Sequence, residues 1–120
     1  MRRRKMKNPE LKGVIRALKA AFKKDGRAIW RALAEDLDRS KRSRVAMNLS
    51  KINRHTVEGD VVAVPGKVLS SGSLSHPVTI AAFSFSKDAR KKIALADSHA
   101  ISLLDLIEEG VEPSKIKILK

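Results

Sequence analysis

The sequence has no cysteine and no tyrosine, and only 3% of its 120 residues are aromatic. Without a thiol the chain can hold neither a disulfide scaffold nor a thiolate zinc site, and it has no cysteine nucleophile. Its four rings, Phe22, Trp30, Phe83 and Phe85, all fall within apolar patterns and are expected in the core. That leaves no stacking platform of the kind that single-strand nucleic-acid readers use. Long apolar runs are lacking too. The longest, 61–65 and 78–83, fall far short of the ~18 residues needed to cross a bilayer. The basic start, Met1-Arg2-Arg3-Arg4-Lys5-Met6-Lys7, leads into Asn8-Pro9-Glu10 and not into an apolar segment, so no signal peptide is expected. The expectation is a soluble, cytoplasmic protein with no membrane association. No internal repeat is evident.

Acidic residues are scarce in one half only. Residues 1–54 carry 18 Lys and Arg against five Asp and Glu, whereas residues 55–120 carry eight of each. The whole net charge of +13 therefore belongs to the first 54 residues. A hydrophobic content of 42% marks a folding chain and not a basic tail. One domain of this length buries about two thirds of its unfolded surface. Charge polarised in this way is explained most simply by binding to phosphate.

Patterning predicts an α/β fold: basic N-terminal helices followed by a mixed run of strands and helices. Residues 1–7 read as a flexible basic arm carrying Arg2, Arg3, Arg4, Lys5 and Lys7. Asn8 reads as a helix N-cap with Pro9 at the first helical position, and Gly26 as the stop. Between them Leu11, Val14, Ile15, Leu18 and Phe22 recur at helical spacing, on one flank of the circumference. Lys12, Arg16, Lys19 and Lys23 form a narrow stripe about 110° away. One flank of this helix can thus face a core and the next an anion. A second helix is expected over 27–38 with Ile29, Trp30, Leu33, Ala34 and Leu37 inward. The polar loop Arg39-Ser40-Lys41-Arg42-Ser43-Arg44 follows, then an extended stretch over 45–49 and a helical turn over 50–55 bearing Lys51 and Arg54. Further on, strands are expected over 60–64 and 67–69, separated by a Pro65-Gly66 turn. Residues 70–73 read as a loop and 78–84 as a longer strand. Ser86 caps a helix to about residue 96, a short strand covers 99–101, Ser102 caps a helix that Gly110 stops, and 116–119 forms the last strand. Alternating strands and helices favour an α/β arrangement over a bundle. The organisation expected is one domain, with a basic half over 8–54 and a neutral core over 55–120.

Candidate catalytic and metal chemistry weighs little. His55, His76 and His99 are far apart, so no metal site is expected. Asp97-Ser98-His99 holds the residue types of a catalytic triad, but as sequence neighbours, and a triad assembles them from separate elements. Gly66-Lys67 superficially suggests a phosphate loop, yet Val61 stands where the first glycine belongs and Val68 where Ser or Thr should follow. Glu35, Asp36 and Asp38 are expected to pair with nearby arginines. No enzyme activity, cofactor or small-molecule substrate is expected. Lys87, Arg90, Lys91 and Lys92, partly balanced by Asp88, read as a solvated helix face. The arm, the Lys12–Lys23 stripe and the 39–44 loop do not: three basic clusters share one segment with few acids, and arginine prevails in two of them, where its planar fork can grip phosphate at two points. A folded nucleic acid held by shape and phosphate is the expected partner. A helix-turn-helix fits poorly, since the second helix would offer Glu35, Asp36 and Asp38 to base edges. A membrane-surface helix gains no support from the remaining strands and loop.

Four segments carry a resemblance: Asn8-Pro9-Glu10-Leu11-Lys12, Asn48-Leu49-Ser50-Lys51-Ile52-Asn53-Arg54, Val64-Pro65-Gly66-Lys67-Val68-Leu69 and Ala82-Phe83-Ser84-Phe85-Ser86. In this order the chain resembles the L-eighteen-e family of archaeal and eukaryotic large-subunit ribosomal proteins, related to the bacterial L-fifteen proteins. The resemblance runs from about Asn8 to Leu119, and the lack of the longer eukaryotic extensions makes it look archaeal. It implies a structural constituent of the large ribosomal subunit, partnered by its large RNA and by neighbouring ribosomal proteins. It also implies a compact mixed α/β core of irregular strand-strand-helix turns, preceded by basic helical and extended segments, with RNA contact at Arg39, Lys41, Arg42, Arg44, Lys51, Arg54 and Lys67. Two turns depart from the family pattern: Ser70-Ser71-Gly72 replaces a Gly-x-Gly turn, and Asp97-Ser98-His99 replaces paired glycines. From another class, the alternative is a general chromatin-type DNA-binding protein.

Overall fold

The computed structural model describes residues 9–38, 45–109 and 115–120. The expected Asn8 cap, the 1–7 arm, the 39–44 loop and the Gly110 stop lie outside the described residues. Helix α1 (Pro9–Asp25) and helix α2 (Ala28–Leu37) come first. They are followed by β1 (Val45–Asn48), α3 (Leu49–Arg54), β2 (Val61–Leu69) and β3 (Thr79–Phe85). The chain continues through α4 (Lys87–Leu95), β4 (His99–Ser102), α5 (Leu103–Glu108) and β5 (Ile116–Ile118).

Every strand pairing is parallel, in the order β1-β2-β3-β4, with β5 also pairing with β2. β1 takes the far part of β2 (Val45 opposite Gly66) and β5 the near part (Ile116 opposite Val61). Two short strands thus share one edge of a long one. Near-continuous apolar stretches such as Val61-Val62-Ala63-Val64 suit parallel strands, which are covered on both faces. One cluster joins α1, α2 and α5 to Ala63, Ala81 and Ile116; the other joins α3 and α4 to Val62, Val64, Val68, Ile80 and Ala82. Both clusters mix residues from before and after position 54, so the basic helices are built into the core.

The helix ends follow their local chemistry. Gly26, at φ +73, donates its N–H to the Phe22 carbonyl at 2.7 Å and closes α1 in the left-handed conformation glycine favours. Ser86 and Ser102 cap α4 and α5 through hydroxyls that accept from Ala89 N and Asp105 N. At the end of α4 Asp97 takes the left-handed role instead, at φ 55, with Ser98 N donating to the Ile93 carbonyl and Asp97 N to the Ala94 carbonyl. Aspartate tolerates that region, so the turn forms without a glycine pair. Ser98 is buried and its hydroxyl accepts from Val78 N, which gives it a structural use in place of a catalytic one.

Two expectations need correction. The strands placed at 60–64 and 67–69 are a single strand, β2, and Pro65-Gly66 is an irregularity within it where the register with β3 shifts between Val64 and Lys67. Proline lacks the ladder N–H, and a bulge absorbs that loss while strands on both edges hold the chain extended. The rings are less uniformly buried than their patterns imply. Trp30 is buried, whereas Phe22, Phe83 and Phe85 are partly covered. The Arg31 guanidinium lies 5.9 Å from the Phe22 ring centroid and that of Arg90 5.1 Å from Phe85.

Candidate nucleic-acid interface

The stripe on α1 is the best-defined basic surface. Leu11, Val14, Ile15 and Leu18 are buried against α2 and the sheet, which fixes the rotation of the helix about its axis. Lys12, Arg16, Lys19 and Lys23 are consequently exposed along the adjoining flank. Residues three and four apart are neighbours on a helix, so the four cations form one line. Lys12, Arg16 and Lys19 line a shallow cleft of about 400 Å³ together with Ile15 and Asp38.

The remaining expected contacts are distributed differently. Lys51 is half-buried and Arg54 exposed in the last turn of α3. That helix packs in the second cluster, on the face of the sheet opposite α1, so these two cations and the α1 stripe do not form one patch. Lys67 is exposed on β2 immediately after the irregularity, in register with Ala46 and Ser84. Arg2, Arg3, Arg4, Lys5 and Lys7, and Arg39, Lys41, Arg42 and Arg44, lie outside the described residues. Lys24, Arg27 and Arg31 are also exposed; they fall off the line of the stripe, and helical period alone does not single them out.

Several charges turn out to be structural. Lys92 Nζ donates to the carbonyls of Ser70 (2.8 Å) and Gly72 (2.9 Å), so this lysine, exposed as expected, also clamps the β2–β3 loop. A lysine tip within reach of two carbonyls is invisible to composition. Lys87, Arg90 and Lys91 are exposed. Glu35 pairs with Arg31 at 3.0 Å, one helical turn away. Asp36, expected to pair with an arginine, is buried and meets Lys120 Nζ at 2.9 Å. Among the histidines, His76 Nε2 lies 2.7 Å from Thr56 Oγ1, while His55 and His99 are exposed. Among the described residues no group of three or more His, Cys, Asp or Glu is placed to hold a metal, and no helix is long and apolar enough to cross a membrane.

Two carboxylates are lowered from their ordinary value of 3.8. Asp25, in the α1–α2 turn, accepts from the Arg27 backbone N–H at 2.9 Å and from the Trp30 indole at 3.0 Å, in that order of influence. For Asp60 the Lys117 ammonium at 2.8 Å is the main cause, followed by the Val57 N–H at 2.9 Å. A carboxylate depressed by folding stabilises the folded state above its unfolded value and loses that contribution as pH falls through its folded value. The urea midpoint is therefore expected to fall as pH is lowered below about 4, the unfolded range of Asp. Asp25→Asn and Asp60→Asn are each expected to flatten that fall, and acid titrations indistinguishable from wild type would refute the assignment.

Residues 27–101 match the sequence profile of a ribosomal protein family, described by its members 50S-L15, 50S-L18e and the 60S protein L-twenty-seven-A. A large ribosomal subunit protein eL18 from Methanothermobacter thermautotrophicus is 45% identical over 113 residues, covering 94% of this chain and 93% of that protein. The chain belongs to this family. Its members are ribosomal structural proteins, a family not known to be enzymatic. The family's archaeal members include the eL18 proteins of Sulfurisphaera tokodaii, 40% identical over 89% of this chain and 91% of the relative, and of Methanococcus maripaludis, 40% identical over 93% of each. The profile match takes in α2 through most of β4, leaving α1, α5 and β5 outside it.

Proposed function

We propose that this chain is a structural constituent of the large subunit of the cytoplasmic ribosome, where it binds and stabilises folded ribosomal RNA through phosphate and shape contacts. The observation that carries the reading is the α1 stripe: four cations on the exposed flank of a helix whose other flank is locked into the core. Cations on a rigid helix meet phosphates without first losing backbone freedom, and each phosphate neutralised releases condensed counterions. Lys51, Arg54 and Lys67, together with the arm residues Arg2, Arg3, Arg4, Lys5 and Lys7 and the loop residues Arg39, Lys41, Arg42 and Arg44, are assigned to the same RNA. The spread of cations over both faces of the sheet suits a protein wedged between RNA helices, where they screen phosphates that otherwise repel. The less charged half is left for protein neighbours. Family membership favours this reading over the chromatin-type alternative.

Binding of large-subunit RNA fragments by the whole chain and by a variant with Lys12, Arg16, Lys19 and Lys23 changed to alanine tests the assignment. These side chains are exposed and alanine is the best helix former, so the fold should survive. Four lost phosphate contacts are expected to lower the slope of log affinity against log salt by about 3–4. Equal affinity and equal slope for the two proteins would sink the proposal.

A further inference from the structure

A cleft lies along the flank of α1 that carries neither the basic stripe nor the core contacts. It has a volume of about 830 Å³ and runs between the second half of α1 and α5. Ala17, Ala20 and Ala21 form one wall and Leu104 and Ile107 the other, with the edge of Trp30 between them. Leu104 is 40% exposed, one of three large apolar side chains that the described residues leave open to solvent. The rim carries Asp25, Asp105 and Glu108 against a single base, Lys24. On a chain with a net charge of +13 this is a local reversal of sign. Asp105 and Glu108 are exposed, and Asp25 is already engaged by Arg27 and Trp30.

An apolar floor of this size takes one or two anchoring side chains. The acidic rim repels phosphate and attracts ammonium or guanidinium groups. We propose that the α1–α5 cleft is a docking site for a lysine- or arginine-bearing peptide segment, with an apolar anchor, from a neighbouring protein of the large subunit. The inference rests on the large-subunit reading given above. It assigns the two flanks of α1 to different partners: the Lys12–Lys23 line to RNA, and the alanine line to protein.

Because the chain has no cysteine, Leu104→Cys introduces a single thiol at the mouth of the cleft. The full-length variant, carrying a benzophenone on that thiol, is assembled into large subunits, irradiated, and its cross-linked peptides identified. The expected product joins position 104 to a basic, apolar-anchored segment of another large-subunit protein. Maleimide labelling of the unmodified thiol is expected to be lost on passing from the free chain to the subunit. Ala20→Cys, on the facing wall, is to give the same segment and the same protection, and it decides the matter should the first variant fail to assemble. Cross-links to RNA, to an acidic segment or to a second copy of this chain would overturn the proposal, as would a thiol equally reactive in both states. Absence of the unsubstituted chain from sedimented large subunits would overturn the large-subunit reading and this inference with it. An exposed thiol in a chain that does co-sediment overturns the docking site alone.

Discussion

Truncation of Leu33 to alanine is expected to cost about 2–5 kcal/mol of folding stability, the range for deleting most of a fully buried leucine side chain. Leu33 is wholly buried in the cluster where α1, α2 and the sheet meet, together with Leu11, Leu18, Leu37 and Ala63. Its loss removes apolar area from water-excluded packing and leaves a cavity that three different elements would have to move to fill. Neighbours on rigid helices and a central strand relax little, which puts the expected value well inside that range and not at its floor. Since domains of this size have only about 5–15 kcal/mol in hand, the variant should be marginal at 37 °C. Urea unfolding followed by the emission of Trp30, one turn away on α2, measures the change directly. Arg31→Ala is the matched control: its exposed pair with Glu35 should be worth less than about 0.5 kcal/mol. A Leu33→Ala midpoint indistinguishable from that control would mean that α2 is not held as described.

The second large effect concerns a residue with no side chain. Gly72→Ala is expected to destabilise by about 2–4 kcal/mol, combining overpacking with an unfavourable backbone conformation. Gly72 has φ +92, and a Cβ built there would lie 2.5 Å from Ser50 Cβ, 2.7 Å from Ser50 N and 2.8 Å from Ser50 Cα. Two of those atoms are backbone, so no rotamer change relieves the overlap. Ser50 cannot retreat freely either, because its N–H donates to the Ser71 carbonyl at 3.0 Å at the start of α3. The expected response is withdrawal of the 70–73 loop from α3, with loss of that bond and of the Lys92 contacts to Ser70 and Gly72. Gly13→Ala is the opposite case. Gly13 lies within α1 with open space around its would-be Cβ, so alanine should stabilise by about 0.5–1 kcal/mol. A Gly72→Ala denaturation midpoint at or above that of the wild type would refute the account of Gly72, and a lowered midpoint for Gly13→Ala would refute that of Gly13.

Much of the fold was legible because the signals are local. The apolar spacing from Leu11 to Phe22, the glycine at 26 and the serines at 86 and 102 place helix ends through bonds that span four residues or fewer. The α1 stripe was legible for the same reason: a helix that buries Leu11, Ile15 and Leu18 must expose Lys12, Arg16 and Lys19. The unity of β2 was not. Pro65-Gly66 is a turn signal by itself, and only partners on both edges keep the chain extended through it. The end of α4 falls at about residue 96 as expected, but that an aspartate takes the left-handed position usually held by glycine was not legible.

The sequence by itself determined that one half of this chain carries the net charge, that rings were too few for base stacking, and which flank of α1 faces outward. All three depend on composition or on helical period, which neighbours in sequence set. Tertiary structure alone decided which charges remain available. Lys117 reaches Asp60, Lys120 reaches Asp36 and Lys92 holds the 70–73 loop, across separations of 57, 84 and about 20 residues. It likewise decided that Lys51 and Arg54 face away from α1, and that α5 stands beside α1 to enclose an acidic, apolar cleft in a basic protein. Such placements depend on strand order and on how the layers stack, and these are settled only when distant apolar surfaces are buried together.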